Sequence, residues 1–302
     1  MRTRFRLLAF TLAFLGSAHA FAQPASNPLL ASASLAKDLE LPRKPSSLSW
    51  FSVPQMALYK PDGSGPFPAL VLHHQCGGLG DSRWQNVAML EWAKEAVARG
   101  YVALLIDSLG PRGVKTVCMG AQGGVNLPRG VRDALQAAAH LRTFDFVDKN
   151  RIALAGYSWG AMIAVLASSR RWGISLTTGD RFAAAVSFYP GCFTIKPAAG
   201  SPFEIVQADI DRPLLVLMGE RDTETPPAEC VPKLEAVKAT GAPVQWHVYP
   251  EATHCWDCKN LDSFSKVDFR GNHVVYRYDR SITRDSGRRV LEFLEKTLAA
   301  RP

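Results

Sequence analysis

Beyond Leu15 the sequence has no apolar run long enough to cross a bilayer, no internal repeat and no long low-complexity tract. The first absence leaves no candidate for a membrane-spanning helix in the body of the chain. The other two argue against a repeat architecture and against a disordered chain. Lysine and arginine never gather into a patch interleaved with aromatic residues, which speaks against nucleic-acid binding. Cysteines at metal-ligand spacing are also scarce. Only Cys255 and Cys258 stand that close, with no second pair, so no metal and no other cofactor is expected.

What is present is ordinary globular composition, with 302 residues, 47% of them hydrophobic and 21% charged. One α/β domain accommodates this length. The N-terminus has the three parts of a secretory signal: a basic start at Arg2, Arg4 and Arg6, an apolar run from Leu7 to Leu15, and small-x-small sites at Ala18-His19-Ala20 and Ala20-Phe21-Ala22. It predicts a signal peptide over 1–22 and a mature chain beginning at Phe21 or Gln23, exported to the periplasm or secreted, with no stable membrane anchor after cleavage. Without those three arginines the formal charge of +8 falls to +5, spread along the chain. Residues 23–49, rich in Ala, Ser and Pro, read as an irregular lead-in, and 50–302 as the folded domain.

The mature chain keeps Cys76, Cys118, Cys192, Cys230, Cys255 and Cys258. In an oxidising compartment an even count points to three disulfides, with the connectivity open. Cys192 and Cys230 lie just beyond neighbouring predicted strands, Cys255 and Cys258 are close enough to pair locally, and Cys76 and Cys118 remain.

Apolar strand-like runs alternate with amphipathic segments. Strands are expected over 67–73, 101–106, 151–155, 182–188, 213–218 and 244–249. Helices are expected over 84–99, 127–141, 159–169, 228–239 and 286–300. Strands that are apolar throughout belong in a parallel sheet covered on both faces. The alternation therefore predicts a single-domain, doubly wound, mostly parallel sheet with helices on both faces. Chemistry in such sheets collects at the carboxyl ends of the strands.

There the chain carries Gly156-Tyr157-Ser158-Trp159-Gly160, a G-x-S-x-G placed between a strand and an apolar helix. The tight turn lifts the Ser158 hydroxyl above the sheet, and side chains at 156 and 160 would crowd it. A serine hydroxyl needs a base and an orienting acid, which in this fold follow in the order acid, then histidine. Glu220, Asp222 and Glu224 all follow the strand over 213–218. His254 lies just past the next strand, whereas His247 is inside that strand and His273 has no strand to position it. The developing oxyanion needs two donors. The Trp159 backbone N–H supplies one, and the His73–Gly78 loop the other, through Cys76 first and Gln75 next. Arg112, at the end of another strand, could hold a substrate carboxylate, or simply tie its own loop. Trp159 and Trp256 flank the serine and the histidine in sequence and could wall the pocket.

With these residues in place the chain resembles the dienelactone hydrolase family, in particular exported relatives with a similar cysteine set. The likeness runs from about Phe51 to Leu298. It rests on VLHHQCGG, GYVALLIDSLGPRG, RIALAGYSWG, VSFYPGC, LLVLMGERDTETP, YPEATHCWD and YDRSITRDSGRRVLEFL. The resemblance implies an α/β-hydrolase fold. It also favours Asp222 as the acid, because G-x-x-D-x-x-x-P follows this strand in such hydrolases. Two features depart from the family. Its namesakes use a cysteine nucleophile where this chain has Ser158, and the usual His-Gly before the oxyanion loop is His74-Gln75 here. The expected activity is hydrolysis of an ester or related acyl bond of a small molecule through a Ser158–Asp222–His254 triad. The rivals are a prolyl-oligopeptidase-type peptidase and a non-catalytic binding protein.

Overall fold

The structure, a computed structural model, describes residues 27–81, 84–177, 179–197 and 200–299. The leader expected over 1–22 lies outside the described residues. In chain order the strands are β1 (Ala57–Tyr59), β2 (Phe67–His73), β3 (Val102–Ile106), β4 (Val147–Tyr157), β5 (Ala184–Phe188), β6 (Thr194–Ile195), β7 (Phe203–Glu204), β8 (Leu214–Gly219), β9 (Val244–Tyr249), β10 (Ser265–Val267) and β11 (His273–Val275). The helices are α1 (Pro28–Ala33), α2 (Val87–Ala98), α3 (Leu127–Leu141), α4 (Trp159–Ser168), α5 (Arg170–Leu176), α6 (Pro227–Ala239) and α7 (Arg280–Thr297).

Seven strands form one sheet in the order β1-β3-β2-β4-β5-β8-β9. All neighbours are parallel except β1, which runs antiparallel on the edge beside β3. Pro68 cannot donate to a ladder, and the β2–β4 register shifts between Phe67 and Ala69. From Ala69 onward both strands are buried.

Alternate residues of each strand serve opposite layers. Ala69, Val71, Val102, Leu104, Ile152 and Leu154 pack towards α3, α4, α5 and α6. Leu70, Leu72, Ala103, Leu105, Ala153 and Ala155 pack towards α2 and α7. Both faces are therefore apolar, which is why these strands read as continuous runs rather than alternating ones. The architecture is the mostly parallel, single-domain α/β fold expected.

Several elements were not legible, among them α1 in the stretch expected to be irregular, α5, β6 and β7. β1 is only three residues long. α7 begins at Arg280 instead of 286, because Asp279 caps it, its Oδ1 accepting from Ser281 N at 2.8 Å and Ile282 N at 2.9 Å. The β10–β11 hairpin emerges from a stretch with no apolar period. In the lead-in, α1 is capped by Asn27, whose side chain accepts from Leu29 N and Leu30 N. The cysteines pair as Cys76–Cys118, Cys192–Cys230 and Cys255–Cys258. Among the described residues no helix is long and apolar enough to cross a membrane.

Candidate active site

Ser158 sits between the end of β4 and the start of α4 with φ 53° and ψ −109°. Its N–H is held by Phe188 O at 2.9 Å. The two glycines of the pentapeptide are sterically obligatory. A Cβ on Gly156 would stand 1.9 Å from Gly160 O, and one on Gly160 would stand 2.3 Å from His73 O and 2.7 Å from His74 O. The first turn of α4 thus packs directly against the end of β2.

His254 follows β9, and its Nε2 lies 3.0 Å from Ser158 Oγ. On the other edge of the ring, Nδ1 lies 2.7 Å from Asp222 Oδ2. Asp222 follows β8. Its Oδ1 accepts from the backbone N–H groups of Glu224 (2.9 Å) and Thr225 (2.8 Å), and its Oδ2 also accepts from Thr225 Oγ1 (2.7 Å). A fully engaged carboxylate fixes the imidazole tautomer, with Nδ1–H donating to Asp222 and Nε2 accepting from the Ser158 hydroxyl. The β8 and β9 loops meet at Gly219, where a Cβ would lie 2.4 Å from Ala252 O. Arg221 N, two residues on, donates to that same carbonyl at 3.0 Å.

Both partners are almost wholly buried, at 2% exposure each. Burial alone would push the Asp222 carboxyl up. The charge of His254, its hydrogen bond and the Thr225 donors outweigh this and hold the carboxyl below its ordinary value. For His254 burial works towards the neutral form, but the charges of Asp222 and Glu224 win and the imidazole stands above its ordinary value.

Trp159 opens α4, so its N–H is among those without an intrahelical acceptor. In the loop after β2, the Gln75 carbonyl accepts from His74 Nδ1 at 2.6 Å and from Gly78 N at 3.1 Å. A trans peptide places its N–H opposite its carbonyl. The Cys76 N–H of that peptide therefore points away from the His74 ring. Burial keeps His74 below its ordinary value, and its Nε2 accepts from Ser108 N at 3.0 Å, so a neutral imidazole braces the loop. The Gln75 side chain is taken up elsewhere: its Nε2 lies 3.3 Å from Tyr189 Oη, and its Oε1 accepts from Asn86 Nδ2.

Two expected pocket residues are placed elsewhere. Arg112 gives its fork to Asp133, with Nη1–Oδ2 2.6 Å and Nη2–Oδ1 2.8 Å, and also bonds Ser108 O and Lys37 O. It is a loop tie, not a free guanidinium for a substrate carboxylate. Trp256 is fully buried, edge-on to Tyr189 at 4.9 Å and Tyr249 at 5.5 Å. It is core, not pocket wall. The Trp159 ring is likewise buried, stacked on His74 at 5.8 Å, so only its backbone is in position to serve the site. Cys255, Asp257 and Cys258 bring ligand-type atoms within 4.8 Å of one another. The two sulfurs, however, are bonded to each other, and Asp257 accepts from Trp92 Nε1 and Tyr189 Oη.

Of the rival acids, Glu220 is exposed. Glu224 is buried on the far side of the imidazole, with Oε2 3.8 Å from His254 Nε2. Thr225 and Tyr189 are the site neighbours that the sequence did not single out. Thr225 had a readable signal, since Asp-x-x-Thr is the spacing at which an aspartate caps the N–H groups that follow it. Tyr189, at φ 46°, lays its ring 4.7 Å from that of His254; nothing in the sequence marks this.

Comparison with known proteins agrees with this fold. The family model described as dienelactone hydrolase family matches residues 55–298. A Yersinia pestis protein provisionally named a carboxymethylenebutenolidase is 24% identical over 213 residues, covering 68% of this chain and 74% of that protein. Among solved structures, a provisionally named dienelactone hydrolase of Klebsiella pneumoniae superposes with TM-score 0.59 at 18% identity, over 80% of this chain and 93% of that one. Esterase 2 of Thermogutta terrifontis, phosphorylated by paraoxon, superposes with TM-score 0.57 at 16% identity, over 82% and 90% respectively.

Proposed function

The chain belongs to the dienelactone hydrolase family and is a hydrolase acting on ester bonds, and we propose that it cleaves them through an acyl-enzyme on Ser158, with His254 as the base and Asp222 behind it. The observation that carries this reading is the unbroken line Asp222 Oδ2–His254 Nδ1 (2.7 Å) and His254 Nε2–Ser158 Oγ (3.0 Å), set on a turn that holds Ser158 at φ 53°.

Ser158 Oγ attacks the ester carbonyl as His254 Nε2 takes its proton. Negative charge develops on the carbonyl oxygen, between the N–H of Trp159 at the head of α4 and the N–H of Cys76. As the tetrahedral intermediate collapses, His254 returns the proton to the leaving alkoxide. Water, deprotonated by the same nitrogen, then releases the acid from Ser158. Asp222 stays ionised throughout and stabilises the imidazolium. No step calls on a cofactor.

The acyl donor is a small-molecule ester. With Arg112 engaged by Asp133, the structure lends no support to a carboxylate clamp at that position, so a carboxylate-bearing lactone is not singled out. Three disulfides, together with the leader, support export to an oxidising compartment.

The test is release of p-nitrophenol from short-chain esters, wild type beside Ser158→Ala. The variant should lose on the order of 10⁴-fold or more in kcat, and a fluorophosphonate should label wild-type Ser158 stoichiometrically. Esterase activity that survives Ser158→Ala, with no adduct on Ser158, would overturn the reading.

A further inference from the structure

Glu224 takes no part in the steps above, yet it is 7% exposed and its Oε2 is 3.8 Å from His254 Nε2, the nitrogen that faces Ser158. Its own partners come from outside the main sheet. Glu224 Oε1 accepts from Lys266 Nζ at 2.7 Å, and Oε2 accepts from Tyr276 Oη at 2.9 Å. Lys266 lies on β10, and Tyr276 immediately follows β11. Arg270, in the turn of the same hairpin, donates to the backbone carbonyl of Glu224, while Thr223 Oγ1 donates to His273 O at 3.2 Å. The hairpin is thus seated on the 223–225 loop by polar contacts, and it closes one side of the imidazole.

The charged and titratable groups around His254 can be named element by element. Asp222, after β8, holds Nδ1. Glu224, on the same loop, stands off Nε2 with Lys266 directly behind it. The Tyr276 ring lies 5.5 Å from that of His254. Tyr189, after β5, packs edge-on and donates a hydrogen bond from its hydroxyl to Asp257. Burial and the neighbouring carboxylates keep both tyrosine hydroxyls well above their ordinary range, so they stay neutral donors.

We propose that Glu224 and Lys266 act as an opposed pair of positioning charges, Glu224 tightening and Lys266 loosening the hold of His254 on its proton, so that the seating of the β10–β11 hairpin sets the pH at which the site turns on. The inference rests on the reading of His254 as the base. Its physics is simple. A carboxylate near Nε2 favours the imidazolium, and an ammonium beyond it offsets part of that effect. The direction in which His254 stands fits: Glu224 raises it and Lys266 lowers it.

The two residues must therefore shift His254 in opposite senses, which a purely structural role would not do. The experiment follows the titration of His254 by NMR on enzyme labelled with 15N-histidine, alongside the rising limb of kcat/KM for p-nitrophenyl acetate. Glu224→Gln, which retains an oxygen acceptor, should move the His254 midpoint down by on the order of one pH unit. Lys266→Met, on a partly exposed strand, should move it up by a smaller amount. Glu224→Asp keeps the charge at longer reach and should fall between wild type and Glu224→Gln. The kcat/KM limb should follow each midpoint. Midpoints that move the same way in Glu224→Gln and Lys266→Met, or do not move, would overturn the inference. Midpoints that move as stated while the kcat/KM limb stays fixed would leave the opposed action on His254 standing, overturn its control of the pH at which the site turns on, and locate that failure in the role of His254 as base.

Discussion

Ser158 pays a conformational cost to stand where it does, since φ 53° with ψ −109° lies outside the regions L-residues ordinarily occupy. What holds it there is local: its N–H on Phe188 O and its hydroxyl on His254 Nε2. The proton on His254 is then the variable that matters. Asp222 and Glu224 both favour the charged ring, so the base becomes available only as pH rises past a value above the ordinary ~6.5. In the wild type kcat/KM should therefore climb through a single ionisation whose midpoint lies above that value. A pH–rate profile with chemistry rate-limiting measures it, and a midpoint at or below ~6.5 would contradict the electrostatics described. At this scale strand–turn order pointed to Ser158 and His254, and the family resemblance to Asp222 among the three acids; the three side chains meet beyond the carboxyl ends of β4, β8 and β9. The sequence left Arg112 open between a carboxylate clamp and a loop tie, because the partner that decides for the tie, Asp133, lies twenty-one residues later in the chain.

Between elements, glycine decides how closely the parts of the site approach. The carbonyls of His73 and His74, at the end of β2, face Gly160 in the first turn of α4. The 2.3 Å separation from a hypothetical Cβ leaves no room for even a methyl group. Gly160→Ala must push α4 off β2 and so separate the Trp159 N–H from the Cys76 loop. It should lower both kcat and thermal stability, the latter by about 1–3 kcal/mol. Gly100→Ala is the control. Gly100 ends the turn after α2 at φ +83° with nothing near its Cβ position, so alanine there should cost about 1 kcal/mol of stability and leave kcat unchanged. Ester turnover and melting temperature of the two variants decide the matter; equal kcat in both would remove Gly160 from the oxyanion geometry. The central strands and α3 were legible because each buries a continuous apolar face. The β10–β11 hairpin was not, because Lys266, Arg270 and Thr223 seat it rather than an apolar period.

Across the whole molecule, covalent and ionic ties fix what the core alone does not. Cys192–Cys230 joins the segment after β5 to α6 across 38 residues, and Cys76–Cys118 spans 42 residues and fastens the candidate oxyanion loop to the segment before α3. The lead-in is held by charge. Arg129, fully buried on α3, donates to Ala33 O and Ala36 O, both at 3.0 Å, and to Asp38 Oδ1. Arg112 reaches Lys37 O. Between the two guanidinium groups lies Asp133, with no exposure at all, accepting from Arg112 on both oxygens and from Arg129 Nε at 2.9 Å. Asp133 is therefore shared by two buried cations, with Asp38 as a second carboxylate on Arg129. Removing a single member of such a cluster leaves uncompensated charge, which typically costs about 3–5 kcal/mol. Asp133→Asn keeps the shape and deletes the charge, so it should lower the melting temperature and expose residues 33–38 to protease while wild type resists. Because Asp133 lies away from Ser158 and His254 in the bonding described, ester turnover of the folded fraction should change less than stability does. Limited proteolysis with mass mapping, run beside a thermal melt, measures both quantities; an unchanged melting temperature with the lead-in still protected would mean that apolar packing of α1 on α3, and not Asp133, holds the N-terminal segment in place.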